Sequence, residues 1–188
     1  MKELETIYIT EREQWRSWPS ENFKDKKEIW LIYPKKSSGK QRIEYNTAVE
    51  EALCFGWIDS TVKSLDKDNT IQRFTVRRAK SSYSQANKER IKRLFKNGMI
   101  HPSIKSSPKP IINEEYDFPA DIITKIKSDI TVWNNYQKFS ESYKRIRIAY
   151  IDSARKRPEE FDKRIQNFIN KTHENKFIKG FGGIDKYY

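Results

Sequence analysis

The alternation of apolar and polar residues between Trp57 and Val76 constrains the fold more than any other feature of the chain. The residues alternate from Trp57 to Leu65, four polar residues follow at 66–69, and alternation resumes in TIQRFTV at 70–76. Two such runs separated by a short polar loop predict a β-hairpin. A hairpin needs a further partner to be stable, so the rest of the chain is expected to supply one.

Other segments supply that partner. The apolar run at 29–34 predicts a strand, and the patterns at 10–19, 46–54 and 84–97 predict helices, the second ending at Gly56. The first of these helices is expected to end at the proline in position 19. We therefore predict an α+β fold: a small antiparallel sheet with a β-hairpin, packed by helices and followed by a helical C-terminal unit.

The C-terminal part of the chain is helical in pattern throughout. Four of the seven prolines fall in the segment between His101 and Pro119, which indicates a connector of limited regular structure. The predicted organisation is an α+β domain at 1–100, a connector at 101–118, a helical unit at 119–175 and a glycine-rich and aromatic tail at 176–188.

Charge is abundant and uneven. The chain has 188 residues and a net charge of +12, with 36% hydrophobic residues, so the charge is expected to surround a packed core. Between Arg73 and Lys96 the only acidic residue is Glu89. A single cysteine excludes an internal disulfide, and no export signal or membrane-spanning run is recognisable, so a soluble cytoplasmic protein is expected.

Several motifs occur in an order that resembles a known family. They are WLIYPKK, AVEEALCFGWIDS, RFTVRR, SYSQANKERIKRLFKNGM and SYKRIRIAYIDSARKRPEEFDKRIQNFI. Their order over residues 10–172 resembles the YdeI/OmpD-associated family, also called the bacteriocin-protection or OmdA-like family. The resemblance implies a role in protection against bacteriocins and cationic antimicrobial peptides, and it implies no established reaction.

The pairing of the hairpin decides which charges meet. If Leu65 pairs with Thr70, Asp59 lies opposite Val76 and diagonal to Arg77. A slip of one residue puts Asp59 directly opposite Arg77. Either register brings the carboxylate close to arginine side chains.

We predict a ligand-binding cluster around this hairpin. Its members are Trp57, Asp59, Arg73, Arg77 and Arg78. A carboxylate can orient a guanidinium toward an anion, and an aromatic ring beside it can stack on a ligand. A structural ion pair and a core tryptophan explain the same residues, so both interpretations stay open. The preferred function is non-enzymatic binding of an unknown anionic ligand or surface.

A second hypothesis is a basic nucleic-acid-binding module. It uses the outward face of the helix at 84–97, with Lys88, Lys92, Arg93 and Lys96. No reading motif accompanies these charges, so only weak, nonspecific binding is expected, with a steep dependence on salt.

A third hypothesis is an enzyme with a small-molecule pocket near Cys54, Asp59 and Arg77. A thiolate at Cys54 would need a base, for which His101 and His173 are the histidines present. A small buried residue at a helix end explains Cys54 equally well. No metal-ligand spacing and no nucleotide-binding motif occurs, so neither a metal nor a cofactor is expected, and the sequence leaves the oligomeric state unknown.

Overall fold

Four strands form one mixed sheet in the computed structural model, which describes residues 4–78, 81–106, 108–179 and 185–187. They are β1 (Thr6–Tyr8), β2 (Glu28–Pro34), β3 (Trp57–Ser64) and β4 (Asn69–Val76), in the order β1-β2-β4-β3. The three longer strands are antiparallel, and β1 runs parallel to β2. The predicted hairpin and third strand are therefore confirmed, whereas the short edge strand β1 was not predicted.

Eight α-helices are found among the described residues. They are α1 (Arg12–Asn22), α2 (Tyr45–Cys54), α3 (Gln85–Lys96), α4 (Lys109–Ile112), α5 (Ala120–Lys127), α6 (Ile130–Lys138), α7 (Glu141–Asp152) and α8 (Pro158–His173). Short 3₁₀ helices occur at Lys36–Ser38 and Pro102–Ile104. The α+β class is confirmed, with the C-terminal half built from helices.

Helix α1 begins at Arg12 and passes through Pro19 to Asn22. Glu11 caps it, and Gln14 completes a capping box with Glu11. Proline cannot donate a hydrogen bond to the preceding turn, but the buried ring of Trp15 stacks on Trp18 with centroids 5.8 Å apart. This packing holds the turn together, so the prediction that the helix ends at Pro19 was wrong.

The turn between α2 and β3 forms as predicted. Helix α2 ends at Cys54, and Gly56 has a φ of +75°, in the left-handed region that glycine adopts without strain. Strand β3 then starts at Trp57. The segment EALCFGWIDS is therefore the end of a buried helix, a glycine turn and the start of a strand.

The register of the hairpin differs from both predicted pairings. Ser64 pairs with Thr70, and beyond a bulge between Asp59 and Val62 the pairing continues with Asp59 opposite Phe74. The Asp66 carboxylate accepts hydrogen bonds from the backbone N–H groups of Asp68 and Asn69, at 2.7 and 2.8 Å. These hydrogen bonds close the loop. Loop closure and the bulge together shift β3 along β4, away from Arg77.

By contacts the chain divides into two compact units. The first comprises Met1–Ser82 and Ile91–Ile112 and contains the sheet, and the second comprises Tyr83–Arg90 and Asn113–Tyr188. In the first unit, the core side of the sheet packs Phe74 against Trp15. In the second unit, buried apolar residues of four helices form the core, namely Ile122, Ile126, Val132, Tyr136, Tyr143, Ile148, Ile151, Ile165 and Phe168.

The boundaries predicted for the domains stay a prediction, because compactness alone does not establish independent folding. The segment predicted as a connector contains a 3₁₀ helix and α4, whose Ile111 is buried. Of the predicted tail, 180–184 and 188 lie outside the described residues.

Candidate functional site

The sheet separates the side chains predicted to form one ligand-binding cluster. Trp57 and Asp59 lie on the face of the sheet that carries Phe74, since Asp59 pairs with Phe74 and alternate residues share a face. Arg73 precedes Phe74 on β4 and therefore points to the opposite face. There it forms a salt bridge with Glu28.

Each of these residues has a structural role in the described part of the chain. Trp57 is only 1% exposed and meets Trp18 edge to face, at a centroid distance of 5.6 Å. Asp59 accepts a hydrogen bond from the Tyr45 hydroxyl at 2.5 Å. The guanidinium of Arg77 donates to the backbone carbonyls of residues 81 and 82.

Arg78 is exposed, and its backbone carbonyl accepts hydrogen bonds from the backbone N–H and hydroxyl of Ser81. A role of the five predicted residues in ligand binding stays a prediction.

Cys54 is fully buried at the end of α2. Burial, and secondarily the negative charge of Glu51, raise the pKa of the Cys54 thiol to about 12. A thiol with such a pKa is protonated at neutral pH and is a poor nucleophile. The His101 ring packs between Phe23 and Phe55, with centroids 4.9 and 5.1 Å away.

The histidines show no arrangement that activates this thiol. The backbone N–H of His101 donates to the Cys54 carbonyl at 2.9 Å, and its Nδ1 accepts the backbone N–H of Ser103. His173 lies in the second unit, 4.0 Å from a carboxylate oxygen of Asp129.

We predict that a thiol reagent labels native Cys54 at least about a hundredfold more slowly at pH 7 than it labels the chain in denaturant, because the native thiol is buried and protonated. Mass spectrometry over a time course measures both rates. Equal rates would contradict the burial of Cys54 and would favour the enzymatic hypothesis.

The raised pKa of Cys54 also affects how stability depends on pH. Above pH 9 the thiol of the unfolded chain loses its proton before the native thiol does, so the free energy of unfolding falls as pH rises toward 12.

Two arginines of α1 hold a buried carboxylate of α2. Glu51 is fully buried and accepts hydrogen bonds from Arg12 Nε and Arg16 Nη1, each at 2.6 Å. Arg12 also lies 3.5 Å from Glu50, and Arg16 donates to the backbone carbonyl of Met99 at 3.0 Å. These charges link elements of the first unit, so they have a structural role.

The cations proposed for nucleic-acid binding differ in exposure. Lys88 and Lys92 are half-buried, whereas Arg93 and Lys96 are exposed. Lys88 forms a 2.5 Å salt bridge with Glu114. The nucleic-acid hypothesis stays a prediction, and no described contact adds a base-reading residue to it.

A cationic cleft lies between α7 and α8 in the second unit. Its volume is ≈ 140 Å³. The residues that line it are Arg147, Tyr150, Ile151, Lys163, Arg164, Asn167, Phe168 and Ile178. Three of these are cations and none is acidic, so the lining as a whole attracts anions.

The two helices present these residues through their regular spacing. Arg147 and Tyr150 are three residues apart on α7, and Lys163 and Asn167 are four residues apart on α8, so each pair shares one helix face. Helix α7 is capped by the Ser140 side chain, which accepts the N–H of Tyr143 at 3.2 Å. Ile151 and Phe168 are buried and form the apolar floor.

Arg164 is held rigidly at the wall of the cleft. Its guanidinium lies 3.7 Å from the centroid of the Tyr150 ring, and Nη1 donates to the Tyr150 carbonyl at 2.7 Å. Nε donates to Glu160 at 2.7 Å, and this hydrogen bond lowers the pKa of the Glu160 carboxyl below its ordinary value. Nη2 makes no hydrogen bond to any residue that the structure describes, so it is available to a ligand.

The other two cations differ in depth. Arg147 is 7% exposed, lies over the Tyr143 ring and donates to the backbone carbonyl of Ile178. The backbone N–H of Ile178 donates in turn to the Tyr143 hydroxyl at 3.0 Å, which fixes this wall of the cleft. Lys163 is exposed and has neither a salt bridge nor a hydrogen bond within the described residues. Its charge interacts with the carboxylate of Glu160 without a direct ion pair, so it is compensated only in part.

Sequence reasoning did not identify this cleft. Tyr150, one of the residues that line it, is 42% exposed. The available signal was the combination of Arg147 with Tyr150 and of Lys163 with Asn167 at helical spacing. That signal becomes specific only when the packing of α7 on α8 is known.

Neither a metal-binding cluster nor a membrane-spanning helix occurs among the described residues. No group of three or more histidine, cysteine, aspartate or glutamate residues there could hold a metal ion. No helix in that part of the chain is both long enough and apolar enough to cross a membrane.

The mixed sheet with its hairpin and the helices that follow define an α+β protein with a cationic cleft in its C-terminal half. Residues 7–106 match the family described as Domain of unknown function (DUF8412), and residues 115–175 match the family described as Bacteriocin-protection, YdeI or OmpD-Associated. The chain therefore belongs to the DUF8412 family, by a match to more than half its length, and its C-terminal part is similar to the YdeI/OmpD-associated family over residues 115–175.

The predicted resemblance is thus confirmed, over a shorter range than residues 10–172. Comparisons with curated proteins and with solved structures found no match. The cleft residues from Arg147 to Phe168 all lie within the YdeI/OmpD-associated match.

Proposed function

We propose that the protein is a non-enzymatic anion-binding protein that contributes to protection against bacteriocins or cationic antimicrobial peptides. The observation that supports this function is the cleft between α7 and α8, whose lining contains three cations and no acid. It lies in the part of the chain that matches the family named for bacteriocin protection. The cytoplasmic location expected from the sequence stays a prediction and is not needed for this function.

The electrostatics of the cleft favour an anion. Glu160 forms a salt bridge with Arg164 and also interacts electrostatically with Lys163, so one acid beside the cleft faces two of its cations. A positive potential inside a concave surface concentrates anions and raises their rate of association. Arg164 is already held in place before a ligand binds, so less side-chain entropy is lost on binding.

We expect the change Lys163→Glu to abolish protection, because it replaces an exposed cation of the cleft with an acid that repels the ligand. Survival of a sensitive bacterial strain is measured at increasing concentrations of a cationic antimicrobial peptide. The strain expresses the wild-type protein, the variant or an empty vector. Sensitivity should return to the level of the empty vector.

Lys156→Glu is the matched control, because Lys156 is exposed, lacks a partner among the described residues and lies outside the cleft lining. It changes net charge by the same amount and should leave protection intact. Equal loss in both variants would point to overall charge, and full protection by Lys163→Glu would contradict a role for the cleft.

A further inference from the structure

We infer that the cleft between α7 and α8 is a docking site for an acidic peptide segment of a partner protein. One apolar side chain of the segment enters the cleft, and a neighbouring carboxylate stays at its mouth. This inference rests on the proposed function and names the class of partner that carries the anion. The volume of the cleft, the residue types at its mouth and the charge there lead to this class.

The cleft has room for a single side chain. Its volume is ≈ 140 Å³, whereas pockets for drug-sized molecules usually have about 300–1,000 Å³. A cavity of about 150 Å³ holds one benzene ring, so the ring of a phenylalanine fills this cleft. The buried side chains of Ile151 and Phe168 form its floor, and Ile178 lines it as well, so an apolar group is favoured inside. The charged group of the ligand therefore has to remain outside.

The mouth of the cleft has the residue types of a protein-binding surface. Tyr150 is 42% exposed, and the Arg164 guanidinium lies 3.7 Å from the centroid of its ring. Arg164 also donates to the Tyr150 carbonyl and to the Glu160 carboxylate, so the pair is held in place before a partner binds. Tyrosine and arginine are enriched among the residues that contribute most to protein–protein binding. A fixed tyrosine–arginine pair beside a pocket of side-chain size suits a peptide better than a small molecule.

The charge at the mouth favours an acidic segment. Lys163 is exposed, and Arg164 donates through Nε and Nη1 but not through Nη2 to the described residues. Glu160 interacts with both cations, so one acid faces two cations and the mouth stays positive. Arg147 is not counted here, because its guanidinium already donates to the Ile178 carbonyl. An aspartate or glutamate next to the apolar residue can accept hydrogen bonds from Lys163 and from Arg164 Nη2.

Fluorescence anisotropy with labelled seven-residue peptides tests the inference on the full chain. The reference peptide is Gly-Ser-Glu-Phe-Asp-Ser-Gly, and two others replace its phenylalanine by alanine or its two acids by the corresponding amides. Loss of the ring should weaken binding at least about tenfold, because it leaves the apolar floor of the cleft in water. Loss of the two acids should weaken binding at least about threefold at low salt. This second difference should shrink as salt rises, because the charges at the mouth are exposed.

Two charge reversals show whether the peptide lies at the cleft. Lys163→Glu should weaken the reference peptide at least about tenfold and leave the amide peptide nearly unchanged, because only the reference peptide carries charges that the new acid repels. Lys156→Glu, outside the cleft lining, should affect neither peptide. Thermal unfolding of both variants shows whether they are folded.

The outcomes separate this inference from the proposed function. Equal binding of the phenylalanine and alanine peptides, or of the acidic and amide peptides, overturns the inference. 3-Phenylpropionate has one ring and one carboxylate but no peptide chain, and it is titrated as a competitor. If it binds as tightly as the reference peptide, the cleft is an anion site for a small aromatic acid, and the peptide inference is overturned. Failure of all these probes to bind also overturns the inference, while the survival assay still tests the protective role by itself.

Discussion

Replacement of Glu51 by glutamine is expected to lower the free energy of unfolding by about 3 kcal/mol, which is large beside the total stability of a small domain. The Glu51 carboxylate is fully buried and accepts hydrogen bonds from Arg12 and Arg16 at 2.6 Å. Glutamine keeps the shape of the side chain, but its amide nitrogen is a donor that faces guanidinium donors. One charged acceptor is therefore lost and one donor is left unsatisfied in the interior.

Equilibrium unfolding in urea measures this loss, with Glu44→Gln as the matched control. Glu44 precedes the same helix, is exposed and makes no side-chain capping hydrogen bond. The control is expected to change stability by less than about 0.5 kcal/mol. A Glu51→Gln protein as stable as the control would mean that the charged link between α1 and α2 contributes nothing net.

Trp57→Ala is expected to destabilise the protein by about 4 kcal/mol, because it removes a large buried ring and leaves a cavity. Trp57 is almost fully buried and packs edge to face on Trp18. Its indole N–H has no hydrogen-bond partner among the described residues. Trp57→Phe keeps an aromatic ring and removes that N–H, so it should cost far less than the alanine change.

Both Trp57 variants and Val62→Ala are compared by urea unfolding. Val62 lies on the same strand and is 59% exposed, so its truncation should have little effect. If Trp57→Ala were as stable as Val62→Ala, Trp57 would not be a core residue and its predicted role in ligand binding would gain support.

The elements of the fold were predictable because their signals are local. The hairpin, the strand at β2, the helices α2 and α3 and the turn at Gly56 follow from alternation, helical spacing and glycine at a helix end. Strand β1 has only three residues, too few for a pattern, and it forms because it pairs with β2. Helix α1 continues through Pro19, where Trp15 also packs on Phe74 and Trp18 on Trp57, and no local rule predicts these tertiary contacts.

The candidate site was less predictable because it depends on register and on packing between helices. The loop at 66–69 closes with Ser64 opposite Thr70, and a bulge adds one extra residue to β3, so Asp59 pairs with Phe74 and not with Val76 or Arg77. In the slipped register, with Asp59 opposite Arg77, Arg73 would share a face with Asp59; in the observed register Asp59 pairs with Phe74, so Arg73 faces the other way. The cleft at α7 and α8 combines residues from two helices, and their contact is not encoded by the spacing within either one.

The bulge in β3 also bears on how the protein behaves at high concentration. A regular, exposed edge strand offers unpaired backbone groups to a neighbouring molecule, which promotes growth of ordered aggregates. At one edge of this sheet, β3 is interrupted between Asp59 and Val62 and carries the charged Lys63, and at the other edge β1 has only three residues. Neither edge is a long regular template, so the irregularity that displaced Asp59 also protects a β-rich segment against self-association.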